Sequence, residues 1–197
     1  MIAQHLNNLF ASIVGVSLLI SLLAWQRKAS WDLVVKQSFV DGKDYLVRKM
    51  PDAQKAADQL ATIKNNILRL IRHLKQKFPK NEGATLLSQN FDPQNLSEAS
   101  KWTRGTSYSL NKGQQVVMCL RHKSDDSFVD MNTLMFVTLH EMAHLATKSI
   151  GHTPEFWANF KFLLKEAISL GIYDYHAYHK TPMKYCGMHI ADTPLKK

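Results

Sequence analysis

The sequence predicts an α+β fold: a small β-sheet made from two hairpins, packed on a long scaffold helix and on a second helix bearing His-Glu-x-x-His. Three observations predict it. Residues 52–78 place Ala53, Ala56, Leu60, Ile63, Ile67, Leu70, Ile71, Leu74 and Phe78 at helical spacing, with Pro51 before and Pro79 after. Two stretches rich in β-branched residues are each followed by a turn signal and a second strand. His140 and His144 stand four residues apart, on one face of a helix.

Residues 1–26 contain no Lys, Arg, Asp or Glu, and within them Leu9–Trp25 is an apolar run closing on an interfacial Trp. Its length meets the short end of the roughly 17–25 residues that span a bilayer. It lacks the positive charge expected ahead of a signal peptide's apolar core, and it lacks the polar stripe of an amphipathic core helix. Residues 1–28 are therefore read as a membrane anchor and 29–197 as the folded domain. Arg27, Lys28 and Lys36 follow the run, so the positive-inside rule puts the domain on the cytosolic side.

Next come strands over 33–40 and 44–49, joined by Asp41-Gly42 as a two-residue turn. The 52–78 helix follows. Its His73 is read as exposed or capping, not as a ligand. Residues 80–104 are polar and interrupted by Gly and Pro, which predicts a long loop with one short helical turn. A second hairpin joins 106–110 to 114–121 through Asn111-Lys112-Gly113.

Asp130 is the expected N-cap of the helix carrying His140, Glu141 and His144, with Leu134, Met135, Val137, Thr138 and Leu145 on its buried face. Two imidazoles one turn apart can hold one zinc ion, while the carboxylate of Glu141, about 100° around the helix, stands beside it. There it can take a proton from a water on the metal. A catalytic zinc site commonly uses three protein ligands. His152 reaches the same point only if the helix stops and the chain turns back. Gly151 supplies the stop, and Thr153-Pro154-Glu155 restarts a helix as N-cap, first-turn Pro and first-turn acid. That helix carries Phe156, Trp157, Phe160, Leu163, Leu164 and Ile168 and ends at Gly171. The tail after it is rich in Tyr and His, and no tyrosine is assigned a role.

At His140–His144 and Gly151–Trp157 the chain resembles the SprT-like and WLM-type zinc metallopeptidases, which are zincins. The resemblance implies His140, His144 and His152 as zinc ligands and Glu141 as the catalytic acid/base of peptide-bond hydrolysis. It also implies that the strand over 114–121 borders the cleft. Tyr45-Leu46-Val47-Arg48 and Tyr185-Cys186-Gly187-Met188 resemble metallopeptidase-like proteins of large DNA viruses, which points to capsid or other virion proteins as partners.

The chain carries 25 basic and 16 acidic residues, a net charge of +9 that suits acidic partners. No nucleic-acid motif accompanies it, so action on nucleoprotein is an open alternative without a motif behind it. A virion component that keeps a zincin fold without catalysis is the other alternative. The two cysteines, Cys119 and Cys186, are too few for a disulfide framework, and reduced thiols are the simpler expectation.

Overall fold

A computed structural model describes residues 31–195. The Leu9–Trp25 segment and the boundary at residue 28 lie outside the described residues. Among those described, no helix is long and apolar enough to cross a membrane.

Helix α1 (Ala53–Lys77) is the scaffold. Ala56, Leu60, Ile63, Ile67, Leu70 and Leu74 are fully buried along one stripe, which touches the strands before it and the three later helices. His73 sits outside that stripe and meets Glu166 at 2.8 Å.

Strands β1 (Leu33–Gln37) and β2 (Asp44–Arg48) pair antiparallel, with Leu33 opposite Arg48 and Gln37 opposite Asp44. The connection is wider than the expected Asp41-Gly42 turn, because residues 38–43 all lie outside the ladder. The cause is Asp41, whose carboxylate accepts from the Lys43 N–H at 3.0 Å and the Tyr45 hydroxyl at 2.7 Å and pairs with Lys64.

The polar stretch expected to be a loop is more ordered than that. Helix α2 (Glu82–Asn90) starts at Asn81, whose side chain accepts from the Ala84 N–H. Strand β3 (Leu96–Glu98) then pairs parallel with β5 (Gln115–Met118), which pairs antiparallel with β4 (Tyr108–Leu110). The sheet order is β3-β5-β4, so the two hairpins do not share one sheet. This also corrects the expected place of the 114–121 strand: with a neighbour on each side, β5 is central, and β4 holds the edge.

The β4–β5 turn runs through left-handed backbone at Asn111, Lys112 and Gly113, with φ of 44°, 52° and 105°. A Cβ on Gly113 would lie 2.2 Å from the Asn90 carbonyl oxygen, so only glycine fits there. The turn is thereby pressed against the end of α2, which sets up the site described below.

Helix α3 (Met131–Leu145) begins with Asp130 accepting from the Thr133 N–H at 2.8 Å, and α4 (Pro154–Ser169) begins with Thr153 accepting from the Phe156 N–H. Both N-caps are the expected ones. Gly171, in left-handed backbone at φ 63°, follows the end of α4. The tail then forms a hairpin, β6 (Met183–Tyr185) and β7 (Met188–Ile190), turning at Cys186-Gly187 with φ of 47° and 83°.

Cys119 and Cys186 form a disulfide, with Cα atoms 6.1 Å apart. The expectation of unpaired thiols is therefore corrected. The pairing depends on the tail hairpin folding back onto the end of β5, which two cysteines far apart in sequence do not reveal.

Candidate active site

Helix α3 ends at Leu145, earlier than Gly151. Side chains from elsewhere supply the stop by taking the last carbonyls, which a helix leaves unsatisfied. Thr147 Oγ1 donates to the Ala143 carbonyl at 2.7 Å, Asn90 Nδ2 to Leu145 at 2.9 Å, and Asn159 Nδ2 to Ala146 at 2.9 Å. Lys112 Nζ, carried on the β4–β5 turn, donates to the Thr147 and Lys148 carbonyls at 3.0 and 2.6 Å. The Glu155 carboxylate then accepts from the Lys148 and Ser149 N–H groups at 2.9 and 3.2 Å. The segment between α3 and α4 is held at both ends. Gly151, at φ 85°, gives the last bend before His152.

The result brings together all three histidines named from the sequence. One ring nitrogen from each of His140, His144 and His152 lies within 4.8 Å of the others. His140 Nε2 and His152 Nε2 are 3.1 Å apart. Two nitrogens bound tetrahedrally to one zinc at about 2.0–2.1 Å would sit roughly 3.3 Å apart. The donor set therefore fits zinc, and among the described residues this cluster would supply three ligand atoms.

Burial favours the neutral, ligating form of His140 and His144. It lowers the His140 pKa to about 4, helped by His144 and His152 nearby, and it lowers that of His144 for the same first cause. Phe156, fully buried at the start of α4, packs against all three rings, with centroids 4.9, 4.4 and 4.7 Å from His140, His144 and His152. Periodicity marks Phe156 as core. Its contact with all three histidine rings is visible only in the fold.

Glu141 is also where the helical spacing puts it, beside the triad and buried. Burial raises its carboxyl to about 7, opposed by the hydroxyl and main-chain N–H of Ser109, which donate to it. Ser109 belongs to the edge strand β4 and was not singled out in the sequence. Two residues earlier, Ser107 meets the Tyr185 hydroxyl and accepts from the Cys119 N–H at 2.9 Å. Alternation along a strand sends both serines to one face. One holds the Glu141 carboxylate, and the other ties down the tail hairpin.

A cleft of about 710 Å³ opens beside His140, Glu141 and His152. Its floor is α3, one wall is α4, and the other is the tail from Tyr185 to Pro194. Of the tail tyrosines, Tyr185 lines this cleft, while Tyr173 and Tyr178 pack on Phe136 with centroids 5.8 and 4.5 Å away. Burial pushes the Tyr185 phenol above its ordinary range.

An α+β chain whose helix sets a buried carboxylate beside three convergent imidazoles is built like a metal-dependent hydrolase. The family model for the WLM domain matches residues 44–190, and the chain belongs to the WLM domain family. Protein R325 of Acanthamoeba polyphaga mimivirus is 31% identical over 192 residues, which span 93% of this chain and 98% of that protein. Protein 136R of Invertebrate iridescent virus 6 is 46% identical over 70 residues, 34% of this chain and 39% of that one. Among solved structures, Wss1 from Saccharomyces cerevisiae is similar with a TM-score of 0.47 and 20% identity, over 64% of this chain and 87% of that one.

Proposed function

We propose that this protein is a zinc metallopeptidase of the His-Glu-x-x-His type, with a zincin site, and that it hydrolyses peptide bonds. The observation that carries the reading is the set of three histidine nitrogens within 4.8 Å of one another beside the buried Glu141. Membership of the WLM family supports it. His140, His144 and His152 would hold the ion. Zinc in such a site supplies a Lewis acid that polarises the scissile carbonyl and acidifies a water.

The protein's own part is proton handling and placement. Glu141 takes a proton from the attacking water and passes it to the leaving amine, so the amine departs neutral. A carboxyl held near 7 by burial accepts and releases a proton with little cost in either direction. Ser109 fixes its orientation, and Phe156 keeps the imidazoles converged. The edge strand β4 lies next to this chemistry, with its Ser109 N–H given to the Glu141 carboxylate.

We further propose that Leu9–Trp25 anchors the domain of residues 29–197 to a membrane, and that its substrate is a protein of a viral particle. Viral relatives and the apolar run support this. A purely structural role needs the histidines to hold metal and fold, but it has no use for a general base.

The test is metal content and turnover together. Purified protein is expected to bind one zinc per chain and to cut a disordered test protein, with chelation stopping and added zinc restoring the cut. His152→Ala is expected to lower zinc affinity by more than the roughly 10–100-fold that loss of an outer partner costs. Unchanged zinc affinity in that variant removes His152 from the ligand set.

A further inference from the structure

Two large apolar side chains are left half in water on facing walls of the cleft. Trp157 of α4 is 45% exposed and Met188 of β7 is 49% exposed. Phe136 and Val137 line the floor. They precede His140 and Glu141 by four residues, one helical turn or about 5.4 Å along the axis. Phe160 and Ile190 complete the apolar lining. A side chain branching from a residue next to the bond being cut has about that reach. The cleft therefore offers an apolar receptacle at side-chain distance from both the metal ligands and the base.

Resting on the hydrolytic reading above, we infer that the cleft selects substrates by a bulky apolar side chain, aromatic or long aliphatic, flanking the scissile bond. Trp157 and Met188 act as its two jaws. A chain crossing the site covers both, and removing such surface from water is favourable in proportion to its area. Methionine is flexible and polarisable, and so adapts to more than one shape. Selection is therefore for apolar bulk, with Phe, Leu and Met treated alike. Charged residues are disfavoured where they face Phe136, Val137, Trp157 and Met188, because that apolar surface offers a buried charge no partner. The exposed Lys161 and His189 of the lining are placed to contact backbone or more distant positions of the substrate.

The experiment uses the zinc-loaded full chain and fluorogenic peptides that differ only at the residues flanking the cut. At one of the two flanks, Phe, Leu and Met are expected to exceed Gly, Asp and Lys by about 10–100-fold in kcat/KM. A binding arm does not depend on turnover: Glu141→Gln with zinc should hold the Phe peptide more tightly than the Gly peptide by a similar factor. Trp157→Ala and Met188→Ala, both at half-exposed positions, should shrink the ratio in both arms. Met188→Glu should shift preference toward Lys.

If all peptides are cut at equal rates, the selectivity inference is wrong while hydrolysis stands. If none is cut but binding still ranks Phe over Gly, the hydrolytic reading falls and the apolar receptacle stands. Flat binding with no cutting overturns both.

Discussion

The molecule buries two glutamates, Glu98 and Glu141, and their surroundings differ in one respect that decides what each is for. Glu98, on β3, accepts from Arg121 Nε at 2.8 Å and from the Arg48 N–H at 2.7 Å. Arg121 also grips Asp52 with both terminal nitrogens, at 2.7 and 2.9 Å, and lies over the Phe128 ring at 4.0 Å. Glu141 is buried as well, but the protein groups that steady its charge are the hydroxyl and N–H of Ser109, with no arginine or lysine among them. Burial is the largest influence on both and raises both. At Glu98 the Arg48 N–H and the Arg121 guanidinium oppose that rise and fix the carboxylate in a network of ion pairs. At Glu141 a proton can come and go. A buried acid locked to a guanidinium is a strut, and one held only by a serine can serve as a base.

The contrast is broken most strongly at Glu141. Glu141→Gln keeps size and hydrogen bonding and removes the proton acceptor. It is expected to fold and bind zinc normally while losing about 10²–10⁴-fold in kcat on a disordered test protein. If wild type and variant release identical fragments at equal rates, the proteolytic reading gives way to the structural one.

Glu98→Gln should do the reverse. It leaves Arg121 buried with part of its charge uncompensated, an error that costs about 3–5 kcal/mol in comparable pairs. Urea unfolding should show that loss, while zinc content and kcat per folded molecule stay near wild type. A large loss of kcat with unchanged stability would mean that the far end of the sheet couples to the site.

A smaller effect sharpens the comparison. Ser109→Ala removes one donor from the Glu141 carboxylate, worth about 1 kcal/mol or roughly fivefold in rate. Because that donor favours the charged form, its loss should move the acid limb of the kcat/KM profile to higher pH. Ser109→Thr should restore it. A uniform fall at every pH would point to general disruption instead.

The smallest effect concerns acid. Arg121 and Arg48 bond to Asp52 and Asp126 and lower their pKa values. A lowered carboxyl stabilises the fold above its unfolded value near 3.9 and loses that contribution as pH falls through its folded value. Glu98, raised by burial, works in the opposite sense and favours acid. The stability gap between wild type and Asp126→Asn should therefore be open at pH 6 and close below about pH 4. A gap that stays constant into acid would show that the Arg48–Asp126 contact contributes nothing through charge.

Much of this site was written locally in the chain. His140, His144 and Glu141 follow from a four-residue spacing, and Thr153-Pro154-Glu155 announces the second helix through the backbone needs of a helix start. What could not be read is what distant residues impose. Strand β3 hides because Ser97 and Glu98 look like loop residues, and Glu98 is buried only because Arg121 arrives to meet it. Helix α3 stops before Gly151 because Asn90, Lys112 and Asn159 cap its end from three other elements. The 114–121 strand became central because that concealed strand pairs with it. The cleft's second wall comes from a tail whose composition suggests only packing.

The disulfide has a topological consequence. Cys119 and Cys186 are 67 residues apart, and the bond between them closes a covalent ring holding α3, α4, all three histidines and Glu141. A break in the backbone anywhere inside that ring, for instance among the exposed residues 123–125, opens the ring without parting the molecule. Such a nicked chain runs as one species until a thiol reagent is added and as two afterwards. Self-inflicted cuts would therefore stay hidden on any gel run without reductant, and a nicked molecule would keep its metal ligands tethered to its sheet.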